Sequence, residues 1–304
     1  MLNRLLKEER GSTLILAAIS MMVVLAMAGL AIDGSLLYMT KSKLQKAANA
    51  AVLSGAQDLP NSTARVTNSV NYVINAHKEA DSLTNLDSST GEEVSVELTK
   101  EVPLTFARIF GYEKVDVKVH ATAGLYPIGS AVGVAPLGID ETKLSQLGFY
   151  GEHQLKVGPS ESEYGNFGIL ALEGPGAKTY EDNFRHGYQS EVKIGEIVDT
   201  QTGNIAEKTR DVVKERTDGC TQPPGDYSMR NCSRIIMVIV YKPHNYTGGQ
   251  MKQVKVTGFA YFYIKDPMDS KDTSITGVFI KRTGAGSYVQ GSANTGAYTI
   301  RLKK

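Results

Sequence analysis

From Ser12 to Ile32 the chain runs 21 residues without a charged side chain, and Leu14 to Ile32 is almost wholly aliphatic, relieved only by Ser20 and Gly29. No other stretch narrows the accessible folds as much. At about 1.5 Å per residue, some twenty helical residues reach about 30 Å, the thickness of a hydrocarbon core. A cleaved secretory signal shares the basic start and the apolar run. Its apolar region, however, is usually about 7 to 15 residues and ends at a small-x-small site. Here the run is longer, and the pattern stays helical past Asp33. The sequence therefore favours a retained single-pass anchor at 12–32, with membrane lipid as its first partner.

Orientation is not settled by flanking charge. Arg4, Lys7 and Arg10 precede the span and Lys41, Lys43 and Lys46 follow it, so the positive-inside count ties. The leading segment, 1–11, is short, whereas the trailing one is long, and long domains translocate largely regardless of charge. Cys220 and Cys232 are the two cysteines and would close a short loop around Pro223, Pro224 and Gly225. In a membrane-anchored chain such a pair reads as a disulfide in an oxidising compartment, two unrelated thiols being the alternative. The expected arrangement is a cytoplasmic N-terminus and an extracytoplasmic remainder.

The formal net charge of the 304 residues is +1, and beyond Ile32 acidic and basic residues balance. Nucleic-acid binding needs a surplus of Lys and Arg facing phosphates, so it is set aside. From Asp33 to Gln57 the sequence continues as a helix without proline. Ala47, Ala51 and Gly55 form a stripe of small residues at four-residue spacing. Such a stripe lets another backbone approach closely, which makes these three a candidate face for packing against other membrane helices or for self-association. A helix facing the core of its own module is the compatible alternative.

Pro60 and Asn61 reset the chain, and a helix follows from Ser62 to about Ala80 with Val66, Val70, Val73 and Ile74 on one face and Asn61 as its cap. Polar residues through 91 read as a loop. Val94, Val96 and Leu98 alternate as a strand, Pro103 opens a short helix ended by Gly111, and Val115 to Ala121 alternate again. This is a small α/β module, 33–125, on the long helix. From about Tyr126 to the end the chain is glycine-rich, with strands expected at Ile235–Tyr241, Val254–Ile264 and Ile275–Ile280. Helices are expected at Ala177–His186 and Ile205–Arg216. The expected fold class is α+β, with a β-rich domain at 126–304.

Several spaced features together are distinctive. The uncharged run after Arg10-Gly11 leads into Asp33-Gly34, Tyr38, the stretch Leu44-Gln45-Lys46-Ala47-Ala48-Asn49-Ala50-Ala51, and Gly55-Ala56. This resembles the N-terminus of TadE/TadG-like proteins of tight-adherence (Flp) pilus assembly. Asn49 stands where that family usually has Asp. Val102-Pro103-Leu104, Phe106-Ala107, Phe110-Gly111 and Ala121-Thr122-Ala123 look like the end of the same module. Gly165-Asn166-Phe167-Gly168, Gly176-Ala177, Tyr180, Asn183, Gly187-Tyr188, Thr202-Gly203-Asn204 and Thr209 resemble the C-terminal extension of some relatives. Glu207-Lys208 replace a Gly-Pro common there. The resemblance implies a pseudopilin-like module and a structural component of a pilus or secretion apparatus, whose partners are other membrane proteins of that machinery.

Gly11-Ser12 is a candidate site for prepilin-type processing, which cuts after glycine and requires Glu five residues on. Leu16 occupies that place, which favours an uncleaved anchor and argues against a polymerising major pilin. No nucleophile elbow, phosphate loop or His-Glu-x-x-His is present, and the five histidines are scattered. The Asp-x-Ser-x-Ser metal motif of some relatives is absent too. No catalytic residue, cofactor or metal site is expected. The alternative function is an anchored extracytoplasmic binding or sensory domain, with an enzymatic role as its extreme form.

Overall fold

The computed structural model describes residues 9–156, 167–201, 205–223, 225–227, 229–247 and 250–303. The chain divides into two units: Met1–Ala56 with Ala64–Ala123 and Leu302–Lys304, and Gln57–Thr63 with Gly124–Arg301. Helix α1, Glu9–Ala56, lies in the first unit. Its 48 residues hold no proline, so nothing interrupts the hydrogen-bond ladder, and it extends about 72 Å.

The second half of α1 forms the core of unit 1. Leu44, Ala47, Ala48, Ala51, Val52 and Ala56 are fully buried. Helix α2, Thr63–Ala76, turns Val66, Val70 and Ile74 inward at helical spacing. Strand β1, Leu83–Asp87, pairs antiparallel with β2, Glu93–Pro103. The next strand, β3, Lys114–Ala131, runs from unit 1 into unit 2. Val94, Val96 and Leu98 alternate inward on β2, as period-2 patterning predicts.

Three local expectations need correction, while Gly111 ends the short helical turn as expected. The polar 80–91 stretch contains β1, an edge strand whose Thr, Asn and Asp hide it from a hydrophobicity pattern. Pro103 ends β2 instead of opening a helix, and the helical turn is a short 3₁₀ segment, Ala107–Phe110. Gly111 ends that turn at φ +89°, a left-handed conformation natural to glycine. Asn61 donates to the Asp58 carboxylate, and α2 begins at Thr63.

In unit 2, β4 (Leu137–Asp140) leads into α3 (Glu141–Leu147), capped by Asp140, whose carboxylate accepts from the Thr142 N–H at 2.8 Å. Then come β5 (Glu152–Lys156), β6 (Phe167–Ala171), α4 (Ala177–His186), β7 (Val192–Lys193), β8 (Ile197–Thr200) and α5 (Ala206–Asp218). The chain continues through β9 (Ile235–Thr247), β10 (Gln250–Ile264), β11 (Ser274–Ile280), β12 (Arg282–Thr283), β13 (Ser287–Tyr288) and β14 (Ala297–Lys303). Pairing runs β5-β11-β10-β8-β6-β4-β9, and an added β9–β10 ladder closes the last five into a ring. The long strands are two-faced. Ile236, Val238 and Val240 of β9 join one core cluster with Ala260, Phe262, Phe184, Val212 and Val213. Met237, Ile239 and Tyr241 join the other with Phe259, Tyr261 and Tyr263. Burial on both faces explains why these strands read as continuous apolar runs.

Candidate functional site

The first half of α1 is uncovered. Leu14, Leu16 and Met22 are about 70% exposed, and the large apolar residues of this half through Ile32 stay open. Surface of that kind is costly in water, and its 18-residue window of mean hydropathy 2.6 fits a single-pass membrane anchor. The segment 1–8 and the side chains of the candidate processing pair Gly11 and Ser12 lie outside the described residues.

At its far end the anchor is clamped. Asp33 is only 3% exposed, and its carboxylate accepts the backbone N–H groups of Thr105 (3.0 Å), Phe106 (2.9 Å) and Ala107 (2.7 Å). Those donors open the 3₁₀ turn and have no partner within it, so the carboxylate satisfies orphan amides much as a cap would. One helical turn earlier, Gly29 leaves room for the Phe106 ring: a Cβ there would stand 2.5 Å from Phe106 Cγ. Asp33→Asn turns one acceptor into a donor facing an N–H. We expect amide exchange at Thr105–Ala107 to accelerate about a hundredfold, read by mass spectrometry in micelles. Unchanged protection would show that the clamp holds nothing.

The small-residue stripe has an occupant within the chain. Ala47 and Ala51 are fully buried in unit 1, and a Cβ at Gly55 would meet Val70 Cγ2 of α2 at 2.6 Å. Ala47, Ala51 and Gly55 therefore seat the chain's own module, and the face expected to meet other membrane helices is covered intramolecularly. On the same unit Glu79, 7% exposed, receives Lys100 Nζ at 2.7 Å and the Ser82 hydroxyl at 2.9 Å. Burial alone would raise its pKa, but these donors and the nearby Lys43 outweigh it and hold the carboxyl below its ordinary value. Because the folded pKa is depressed, the contribution to stability is complete above the ordinary value of about 4.3 and disappears as pH falls through the folded value. Glu79→Gln should flatten the acid limb of a pH–stability curve measured by denaturant midpoints, whereas an unaltered limb would discount this group.

In unit 2, Cys220 and Cys232 form a disulfide with Cα atoms 5.2 Å apart. Pro224 in its loop lies outside the described residues. Cys232 borders a cavity of about 700 Å³ with Tyr227, Arg230, Tyr261 and Arg282. Arg282 donates to the carbonyls of Tyr227 (3.1 Å) and Arg230 (2.8 Å), and burial lowers its pKa. Burial pushes the Tyr261 hydroxyl up to about 12. The guanidinium that a ligand would seek is thus already engaged by backbone, and Tyr261 is a poor proton donor. Burial also lowers His153, whose ring lies against Phe279. Among the described residues no three His, Cys, Asp or Glu side chains converge as a metal site.

Two residues of the C-terminal resemblance meet. Tyr180 of α4 and Thr209 of α5 share a buried hydrogen bond of 3.0 Å, and Asn183 is buried beside them on α4. Gly165, Asn166 and the Thr202-Gly203-Asn204 stretch fall outside the described residues.

Residues 11–58 match the TadE/G-like Flp pilus-assembly family, Tad. The matched Tad segment covers the anchor, Gly29, Asp33 and the whole small-residue stripe. It supports involvement of the chain in Flp pilus assembly. No curated protein and no solved structure matches the chain. Asp33 belongs to the Tad resemblance, which gives it no role, and the sequence signal for the clamp is a glycine, Gly29, one helical turn before a lone aspartate.

Proposed function

We propose that the chain is a membrane-anchored structural component of a Flp pilus-assembly or secretion apparatus, a minor-pseudopilin-like scaffold with no catalytic role. Its N-terminus lies in the cytoplasm and unit 2 on the extracytoplasmic side. The observation that carries this reading is the open apolar half of α1, continuous within one Tad segment with a helix that builds a folded module. Partners among the assembly proteins would meet the lipid-embedded half of α1 or the outer surfaces of the units, because the small-residue face is taken. The test is piliation. Deleting the gene should remove surface pili, and the full chain should restore them where a chain lacking 12–32 does not. Normal piliation in the deletion strain would overturn the proposal.

The cavity beside Cys232 favours a second reading, an anchored binding domain. A small-molecule screen by thermal shift on the full chain in micelles addresses it, and the absence of any hit that depends on Arg230 would remove its ground.

A further inference from the structure

The segment that Asp33 clamps carries uncovered apolar side chains. Ile109 is 81% exposed, Phe110 59% and Tyr112 66%, three large residues within four positions. Their backbone is firmly held: Leu104 and Ala107 are buried, the Leu104 N–H donates to the Glu113 carbonyl, and Gly111 closes the turn. Asp33 and Gly29 then fix the whole segment against α1. Gly29 belongs to the uncharged run, and Asp33 is the first charge after it. With 12–32 read as the span, the clamp falls at the level along α1 where hydrocarbon would give way to headgroups. The rim is close to neutral, with Arg108 facing Glu113 at 3.8 Å and Lys114 paired to Glu101.

We propose that 104–112 is a second membrane contact, in which Ile109 and Phe110 enter the bilayer interface and Tyr112 rests among the headgroups. This rests on the reading of 12–32 as a bilayer span. Exposed aliphatic and aromatic residues at that level match the chemistry of the interface, where aromatic rings place an apolar body in the acyl region and a polar edge in water. A segment held at one point on the anchor adds a contact beside it, so unit 1 is seated on the lipid surface at a set angle to the span. With a balanced rim, attraction to anionic lipid adds little and the contact is apolar.

The chain contains no tryptophan, so each single substitution creates its own reporter. Full-length Phe110→Trp and Ile109→Trp are reconstituted in phosphatidylcholine vesicles containing lipid brominated near the top or near the end of its acyl chains. Met22→Trp, in mid-span, tests the anchor. Tyr72→Trp, on the exposed face of α2, reports water. The expected result is a blue-shifted emission at 109 and 110, quenched roughly twofold by shallow bromine and less by deep bromine, as for groups about 5–10 Å into the boundary. The Met22 reporter should respond most to deep bromine and the Tyr72 reporter to neither. Quenching at 22 with none at 109 or 110 overturns the second contact and leaves the anchor standing. No quenching at any position overturns both. A blue shift at 110 without quenching means protein covers the segment, and that also overturns the proposal.

Discussion

Arg216→Leu is expected to destabilise unit 2 by about 3–4 kcal/mol, as a displaced chemical-denaturation midpoint of the full chain in micelles. The guanidinium donates to the Phe184 carbonyl from Nε (3.2 Å) and Nη2 (2.6 Å), to Arg185 from Nη2 (3.1 Å), and to Ser233 from Nη1 (2.9 Å). Phe184 and Arg185 lie in the last turn of α4, whose carbonyls have no partner within the helix and carry its negative dipole end. One side chain from α5 thus ends α4 and ties both helices to the segment entering β9. Its flat face also covers the Phe184 ring, 5.5 Å from guanidinium carbon to centroid. Burial lowers its pKa to about 10, far above neutrality, so the charge is present under working conditions. Leucine would preserve some packing but leave three carbonyls without donors. A change below about 1 kcal/mol would mean that water replaces the guanidinium without loss, contrary to this account.

Opening the Cys220–Cys232 bond is expected to cost unit 2 about 3 kcal/mol, from the 12-residue separation it spans and the loop entropy it removes from the unfolded chain. Both cysteines are buried and pack in the cluster that holds Met237, Ile239 and Tyr241, so the double change to serine adds a small polar penalty that a reductant does not. Arg282 still holds two carbonyls of the loop, and the fold should survive with a lowered melting temperature. Reductant and Cys220→Ser/Cys232→Ser should give shifts of the same sign, the mutant somewhat larger. Identical melting curves with and without reductant would show that the bond contributes nothing.

Much of the secondary structure was legible because it follows from local periodicity. Helix α4 spans the residues expected for it, α5 lies within two residues of its expected ends, and β9, β10 and β11 contain the apolar runs Ile235–Tyr241, Val254–Ile264 and Ile275–Ile280. Patterning failed where an element is short or polar. Strand β1 offers Thr, Asn and Asp to solvent, and α3 has only seven residues to display a period. The strand β3 runs on past Ala121 to Ala131, because alternation gives way to burial on both sides.

The unbroken apolar run determined by itself that α1 is helical, long enough to span a bilayer, and unable to bury that half in a core of this size. Hydropathy and rise per residue are properties of the stretch alone. Unbroken apolar runs likewise marked β9, β10 and β11, alternation marked β2, and the spacing of Cys220 and Cys232 allowed their bond. Only the tertiary structure decided what Asp33 binds, since its three donors come from 72 to 74 residues away. It also decided that Ala47, Ala51 and Gly55 receive this chain's own helix and sheet, and that β9 and β10 close a ring. Each of these depends on which distant backbone arrives at a given face. A single sequence carries no periodic signal for that, because the energy resides in the pairing and in neither segment separately.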